Sequence, residues 1–234
     1  MIRAGIGLWC SAVLTAALYT GAAAGGRFFT SMTGFLLPHY GYSAYAISAL
    51  VFLAPWAWLR WVALAALLAS GNRASWVGVI VGWASTGGPR RAALAGALGV
   101  LAVVGGYAWK PRTDNDSVRI QIWRATMHQI GKHPAGLGRG GLCLGVDGNA
   151  ITHAHSDVLE IAALYGVKVA VWAVVLVVFG LLALPAGPEK AALVGLTAIS
   201  VIDNRLTTSW ACLGLWAALW IAALRKPRLA LRER

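Results

Sequence analysis

A few charged and titratable side chains stand out in a chain that is otherwise nearly uncharged. Arg73 lies in SGNRASW and Arg205 between two apolar runs, places where a cation is expensive and therefore marks a candidate functional site. The stretch SVRIQIWRATMHQIG, residues 117–131, carries Arg119 and Arg124, and ITHAHSDVLEIAALYG, residues 151–166, sets His153 and His155 just ahead of Asp157 and Glu160. A guanidinium is a planar donor fork that holds phosphate oxygens in pairs, and an imidazole titrates near neutral pH, where it can take or orient a proton. HxHxD is also how some metal sites begin. That fingerprint continues with another histidine, but position 158 is valine, and no sequence of the αβ-sandwich kind surrounds it, so no metal is expected.

The elements that must position these residues are apolar. Hydrophobic residues make up 59% of the 234, charged ones only 12%, and the mean hydropathy of +0.67 lies outside the usual range of soluble domains. Several runs approach the roughly 20 residues that a helix needs to cross a bilayer. The composition therefore predicts an all-α polytopic transmembrane bundle of about six to eight spans, some short or broken, forming a single membrane domain over 1–234. Spans are expected at 5–24, 92–109, 157–184 and 191–224, the last divided near Asp203-Asn204-Arg205. Between 43 and 89, Pro55, Arg60 and SGNR leave too little length for three full spans, so broken or re-entrant helices are expected there. The N-terminus, with its basic start and small residues, has the look of a signal peptide but reads better as an uncleaved first helix.

The net charge of +12 is dispersed among the apolar runs rather than gathered on one face, which excludes a nucleic-acid-binding surface and points to topology and anionic membrane lipids. By the positive-inside rule Arg90-Arg91 and the tail RKPRLALRER lie in the cytoplasm, so residues 110–156 form an external loop. That loop holds four of the five histidines, His128, His133, His153 and His155. Within it Ile120, Trp123, Met127 and Ile130 fall on one face of an amphipathic helix expected at the membrane surface, with Arg119 and Arg124 on opposite flanks. The bland alternative is that these arginines snorkel to lipid phosphates, and that Arg205 pairs with Asp203. GLGRGG, 136–141, matches GxGxxG in form only. A dinucleotide fingerprint needs a strand before it and a helix after it, so a glycine-rich turn is predicted instead, whose amides could receive an anion. Cys10, Cys143 and Cys212 have no close spacing and read as packing residues.

Taken in order, SGNRAS, RIQIWRATMHQIGKHPAGLGRG and HAHSDVLEIAALYGV resemble the bacterial O-antigen ligase and O-antigen polymerase family over about residues 60–185. Ser70, Asn72, Arg73 and Ala74 approximate its S-x-R-G-A-like element, with departures on both sides of the arginine. Arg119 and Trp123 match R-x-x-x-W, and His133, Pro134, Gly136 or its neighbours, Gly138 and Gly140 approximate H-P-x-x-G-x-G, the first glycine standing one residue early. His155, Ser156 and Gly166 fit a histidine followed by Asn, Ser or Gln, nine residues, then Gly, while Val169 departs from the small or Tyr residue that ends the element. The chain is shorter than family members usually are.

The resemblance implies a membrane glycosyltransferase of the bacterial inner membrane, multi-pass, with its site facing the periplasm. The donor would be a polyprenyl-diphosphate-linked glycan and the acceptor a hydroxyl, of the lipid A core in a ligase or of a second lipid-linked glycan in a polymerase. Arg73 and Arg119 would bind the diphosphate and stabilise the charge that develops as it leaves, so that neither metal nor cofactor is needed. His155 would act on the acceptor hydroxyl, with Asp157, Glu160, His153, Arg124 and Arg205 as supporting residues. A protein acceptor and a non-catalytic membrane subunit modulating a polymerase remain as alternatives.

Overall fold

The computed structural model describes Gly5, residues 40–54, 56–70, 72–87, Arg90, Leu94, and residues 114–146, 148–203, 206–207 and 209–230. In chain order these residues form α1 (Tyr40–Leu53), α2 (Ala57–Ser70), α3 (Arg73–Ala84), α4 (Asp114–Lys132), β1 (Leu144–Val146), β2 (Asn149–Ile151), α5 (Asp157–Tyr165), α6 (Val167–Ala183), α7 (Pro188–Ile202) and α8 (Trp210–Ala230). They divide into two compact units. One holds α1, α2, α3, α8 and α7 as far as Ile199; the other comprises residues 103–183 with 200–208.

In the first unit the breaks expected between 43 and 89 appear. Helix α1 stops ahead of Pro55, where its last turn is closed by Ala54 N–H on Leu50 O at 2.9 Å and Arg60 Nε donates to the Ala54 carbonyl at 3.0 Å. Helix α3 opens after SGN because Asn72 caps it, its side chain accepting from Ser75 N–H at 3.0 Å. Buried Tyr45, Ile47, Leu50 and Leu67 fill the space between α1 and α2. Helices α3 and α7 meet through glycine: a Cβ on Gly78 would stand 2.7 Å from Gly195 O, and one on Gly195 would stand 2.5 Å from Gly78 O. Such an approach of two backbones leaves no room for any side chain.

No helix among the described residues is long and apolar enough to cross a membrane. This overturns the transmembrane bundle expected from composition and, with it, the multi-pass placement in an inner membrane. The expected spans at 5–24 and 92–109 lie outside the described residues, apart from Gly5 and Leu94. Where the chain is described, runs that look continuous in composition are interrupted in structure. The run at 157–184 is cut at Gly166, which ends α5 with φ of +95° and leaves α6 with 17 residues. At 1.5 Å per residue that is about 25 Å, against about 30 Å of hydrocarbon. The closing run divides after Asp203 as expected, into α7 of 15 residues and an α8 whose last turns carry Arg225, Lys226 and Arg228. Helices α1, α2 and α3 have 14, 14 and 12 residues.

The described residues are mostly helical, as expected, and the second unit adds one short hairpin to the helices. The loop expected at 110–156 contains α4 and then an antiparallel hairpin, with Leu144 opposite Ile151, Gly145 opposite Ala150 and Val146 opposite Asn149. Its two-residue connection is Asp147-Gly148, the pairing that hairpin turns favour, and Gly148 takes φ of +78°. Ile122, Leu142, Leu144, Val146, Ala154 and Ala163 form the core of this unit.

Candidate functional site

The site is built around the junction of α4 with the turn at residues 153–156. Helix α4 forms as its periodicity predicts, but the face it turns inward is shifted, keeping Trp123 and Ile130 and leaving out Ile120 and Met127. Ile122 and Thr126 are its buried residues, flanked by Val118, Ala125 and Ile130, whereas Ile120 and Met127 are exposed. The helix thus spends its apolar face on the hairpin and α5 of its own unit. Trp123 is half-buried, and its Nε1–H donates to the main-chain carbonyl of His155 at 3.3 Å. Arg119 lies one turn before Trp123, on the same side of the helix, and is half-buried, while Arg124 is exposed. The two arginines, equivalent flanks in the sequence, are therefore unequal in the structure.

His155 has φ of +52°, the one positive value at a non-glycine residue among those described. A side chain in that region costs on the order of 1 kcal/mol or more, and such strain persists where surrounding structure holds it, often at functional sites. Here the Trp123 bond lies on one side and the start of α5 on the other. Ser156 is the N-cap of α5, its hydroxyl accepting from Leu159 N–H at 3.4 Å, and Gly166 is the C-cap, its N–H donating to Ala162 O. The element His, Ser, nine residues, Gly is thus one nine-residue helix with both of its caps, preceded by a strained histidine.

The glycine-rich segment ends the same helix. Leu137 N–H and Gly138 N–H donate to the α5 carbonyls of Ala163 and Leu164 at 2.8 and 2.9 Å, and Val167 N–H donates to Pro134 O at 3.0 Å. Carbonyls that a helix end leaves without intrahelical partners are satisfied in this way. The crossing is close enough to require glycine on both strands of the contact. A Cβ on Gly136 would stand 2.6 Å from Leu164 O, and one on Gly166 would stand 2.8 Å from the Ala135 carbonyl. A glycine-rich turn is what the sequence predicts, and the chain after GLGRGG enters β1 rather than a helix.

The two carboxylates in the first turn of α5 do different work. Asp157 is buried and accepts from Leu206 N–H at 2.9 Å, Thr207 N–H at 2.8 Å and the Thr207 hydroxyl at 2.6 Å, tying residues 206–207 to the start of α5. Burial pushes its carboxyl above the usual aspartate value of 3.8, and these hydrogen bonds, with one from Ser200, draw it partly back. Glu160, also buried, bonds His153 Nδ1 through one oxygen at 3.3 Å and accepts from Ala154 N–H through the other.

The second unit therefore holds Arg119, His153, His155, Asp157 and Glu160, with His153 against Glu160 and the helix that carries Arg119 joined to the His155 turn through Trp123. Arg73 is the first residue of α3 and belongs to the other unit, and Arg205 lies outside the described residues. Arg73 stands at the positive end of the α3 dipole, where a cation gains nothing from the helix and an anion is favoured. Sequence reasoning missed Trp123 as a hydrogen-bond donor and Thr207 as the partner of Asp157. The first was legible as a tryptophan four residues from an arginine; the second spans 50 residues and left no signal. Among the described residues no three His, Cys, Asp or Glu side chains group so as to hold a metal ion. Cys143 is exposed rather than packed, and Cys212 is buried. No family model, curated protein or solved structure matches the chain.

Proposed function

We propose that the chain transfers a glycan from a polyprenyl diphosphate donor to an acceptor hydroxyl, in the manner of an O-antigen ligase. The observation that carries this reading is the bond from Trp123 to the His155 carbonyl, which sets the arginine helix against the histidine turn. A phosphate-binding fork and a proton acceptor are the two groups the reaction needs, one on each side of the anomeric carbon. Arg119 holds the diphosphate and stabilises the charge it gains as the glycosidic bond breaks. An imidazole of the 153–155 turn, His155 by the resemblance, acts on the acceptor hydroxyl as its oxygen attacks.

The test is transfer from a polyprenyl-diphosphate-linked oligosaccharide by the purified chain in detergent, followed chromatographically. Arg119→Ala is expected to lower the rate by about 100-fold or more, the scale for removing one donor to a developing oxyanion. Arg124→Ala, at an exposed position, is expected to stay within about threefold of the parent. No transfer by the parent protein, or equal rates in the two variants, refutes the reading.

A further inference from the structure

The turn offers two imidazoles, and their surroundings differ. The His155 main chain is held by Trp123. His153 has a side chain 54% exposed, and its Nδ1 sits 3.3 Å from an oxygen of Glu160, whose own side chain is 5% exposed. An ionised carboxylate can only accept hydrogen bonds. One Glu160 oxygen accepts from Ala154 N–H, and the other faces Nδ1, so a carboxylate there selects the neutral tautomer of His153 with its proton on Nδ1 and its lone pair on Nε2. A buried carboxylate that fixes the tautomer of an accessible histidine is the arrangement by which an imidazole is readied to accept a proton.

We propose that His153 is the residue that takes the proton from the acceptor hydroxyl, and that Glu160 is the positioning residue that holds its ring. This assignment rests on the glycosyl-transfer reading. In the step, the hydroxyl O–H bond breaks and its proton passes to His153 Nε2. The oxygen forms a bond to the anomeric carbon, the bond from that carbon to the diphosphate oxygen breaks, and its electron pair leaves with the polyprenyl diphosphate. The imidazolium, balanced by Glu160, then returns its proton to water. Because the same carboxylate also anchors Ala154 N–H, Glu160 fixes both the ring and the backbone that carries it.

Two measurements test the assignment. The first is the tautomer of His153, read from long-range nitrogen–proton correlations of the imidazole, with its signals identified by their loss in His153→Gln. The parent is expected to show the Nδ1–H form. In Glu160→Gln the new amide oxygen keeps the Ala154 bond while its NH2 donates to Nδ1, so the Nε2–H form is expected. A parent in the Nε2–H form, or a tautomer indifferent to Glu160→Gln, overturns the positioning role. The second is kinetic. His153→Gln and Glu160→Gln are expected to lower kcat by about 100-fold or more, the scale of general-base catalysis, with donor KM little changed. His153 is exposed, so its replacement leaves the fold intact, which circular dichroism verifies. Full activity of His153→Gln, or loss confined to His155→Gln, overturns the proton-acceptor role. No transfer by the parent protein refutes the glycosyl-transfer reading and that role with it, while the tautomer still decides the Glu160 geometry.

Discussion

Asp157 is the residue whose removal the structure prices most directly. Its carboxylate receives three hydrogen bonds from two consecutive residues, Leu206 and Thr207, and is itself buried. Asp157→Ala leaves the half-buried Leu206 amide without its acceptor, at about 1–3 kcal/mol, whereas the Thr207 donors belong to an exposed residue and can turn to water for less. Relief from burying a carboxylate offsets part of this, and the expected net loss is about 1–3 kcal/mol in urea or thermal unfolding. The same variant should speed hydrogen exchange at the Leu206 and Thr207 amides ahead of those in the core of the unit.

The pH dependence has a definite sign. Burial raises the folded-state pKa of Asp157 above 3.8, so the folded chain holds this proton more tightly than the unfolded chain. The contribution of the group to stability is then fully present below 3.8 and is lost as pH rises through the folded value. The penalty of Asp157→Ala should accordingly be largest in acid and shrink towards neutrality, the reverse of an exposed, ion-paired aspartate. A penalty that grows with pH, or one below about 0.5 kcal/mol with unchanged exchange at residues 206 and 207, refutes the account.

Other expectations follow from the same unit. Gly166→Ala places a Cβ against the Ala135 and Pro134 carbonyls at a residue with φ of +95°, and is expected to cost about 2–4 kcal/mol in denaturation. Gly138→Ala, at φ of +79° with nothing within 4 Å, should cost only about 1 kcal/mol; equal costs would sink the claim that backbone crossing, and not φ alone, demands glycine at 166. Trp123→Phe keeps an aromatic ring but removes the bond to the His155 carbonyl and part of the indole's contact area, so about 1–2 kcal/mol should be lost, with chemical-shift changes concentrated at residues 153–156.

Local grammar was legible in the sequence and lateral context was not. The break ahead of Pro55, the cap at Asn72, the glycine turn at 136–141 and the division of the final apolar run all follow from residue types acting on their near neighbours. The hairpin at 144–151 carried an equally local signal in Asp147-Gly148, outweighed by the assumption of an all-α membrane bundle. That assumption came from summing hydropathy along the chain, and it failed where a single glycine, Gly166, ends a helix inside an apolar run. The face of α4 was misread for a related reason. Periodicity selects the widest apolar stripe, through Ile120 and Met127, but packing selects the stripe that fits the hairpin, through Ile122 and Thr126.

The resemblance motifs divide along the same line. Ser156 and Gly166 are required by one short helix, and Gly136 by the chain that crosses its end, so three of the matched positions are explained by capping and close approach alone. Any sequence that builds this turn and helix needs them, whatever reaction it carries. Arg119 and the strained conformation of His155 are not explained that way. The capping and close approach that fix the glycines do not call for a half-buried guanidinium at 119 or for a histidine at φ of +52°, so the functional reading leans on the helix and turn that Trp123 joins and not on the glycines. Glu160 was read from the sequence only as one of two acids near His155. Its position four residues into α5 lets its carboxylate reach back over the N-terminal turn to Ala154 and His153, a relation that sequence spacing from His155 does not express.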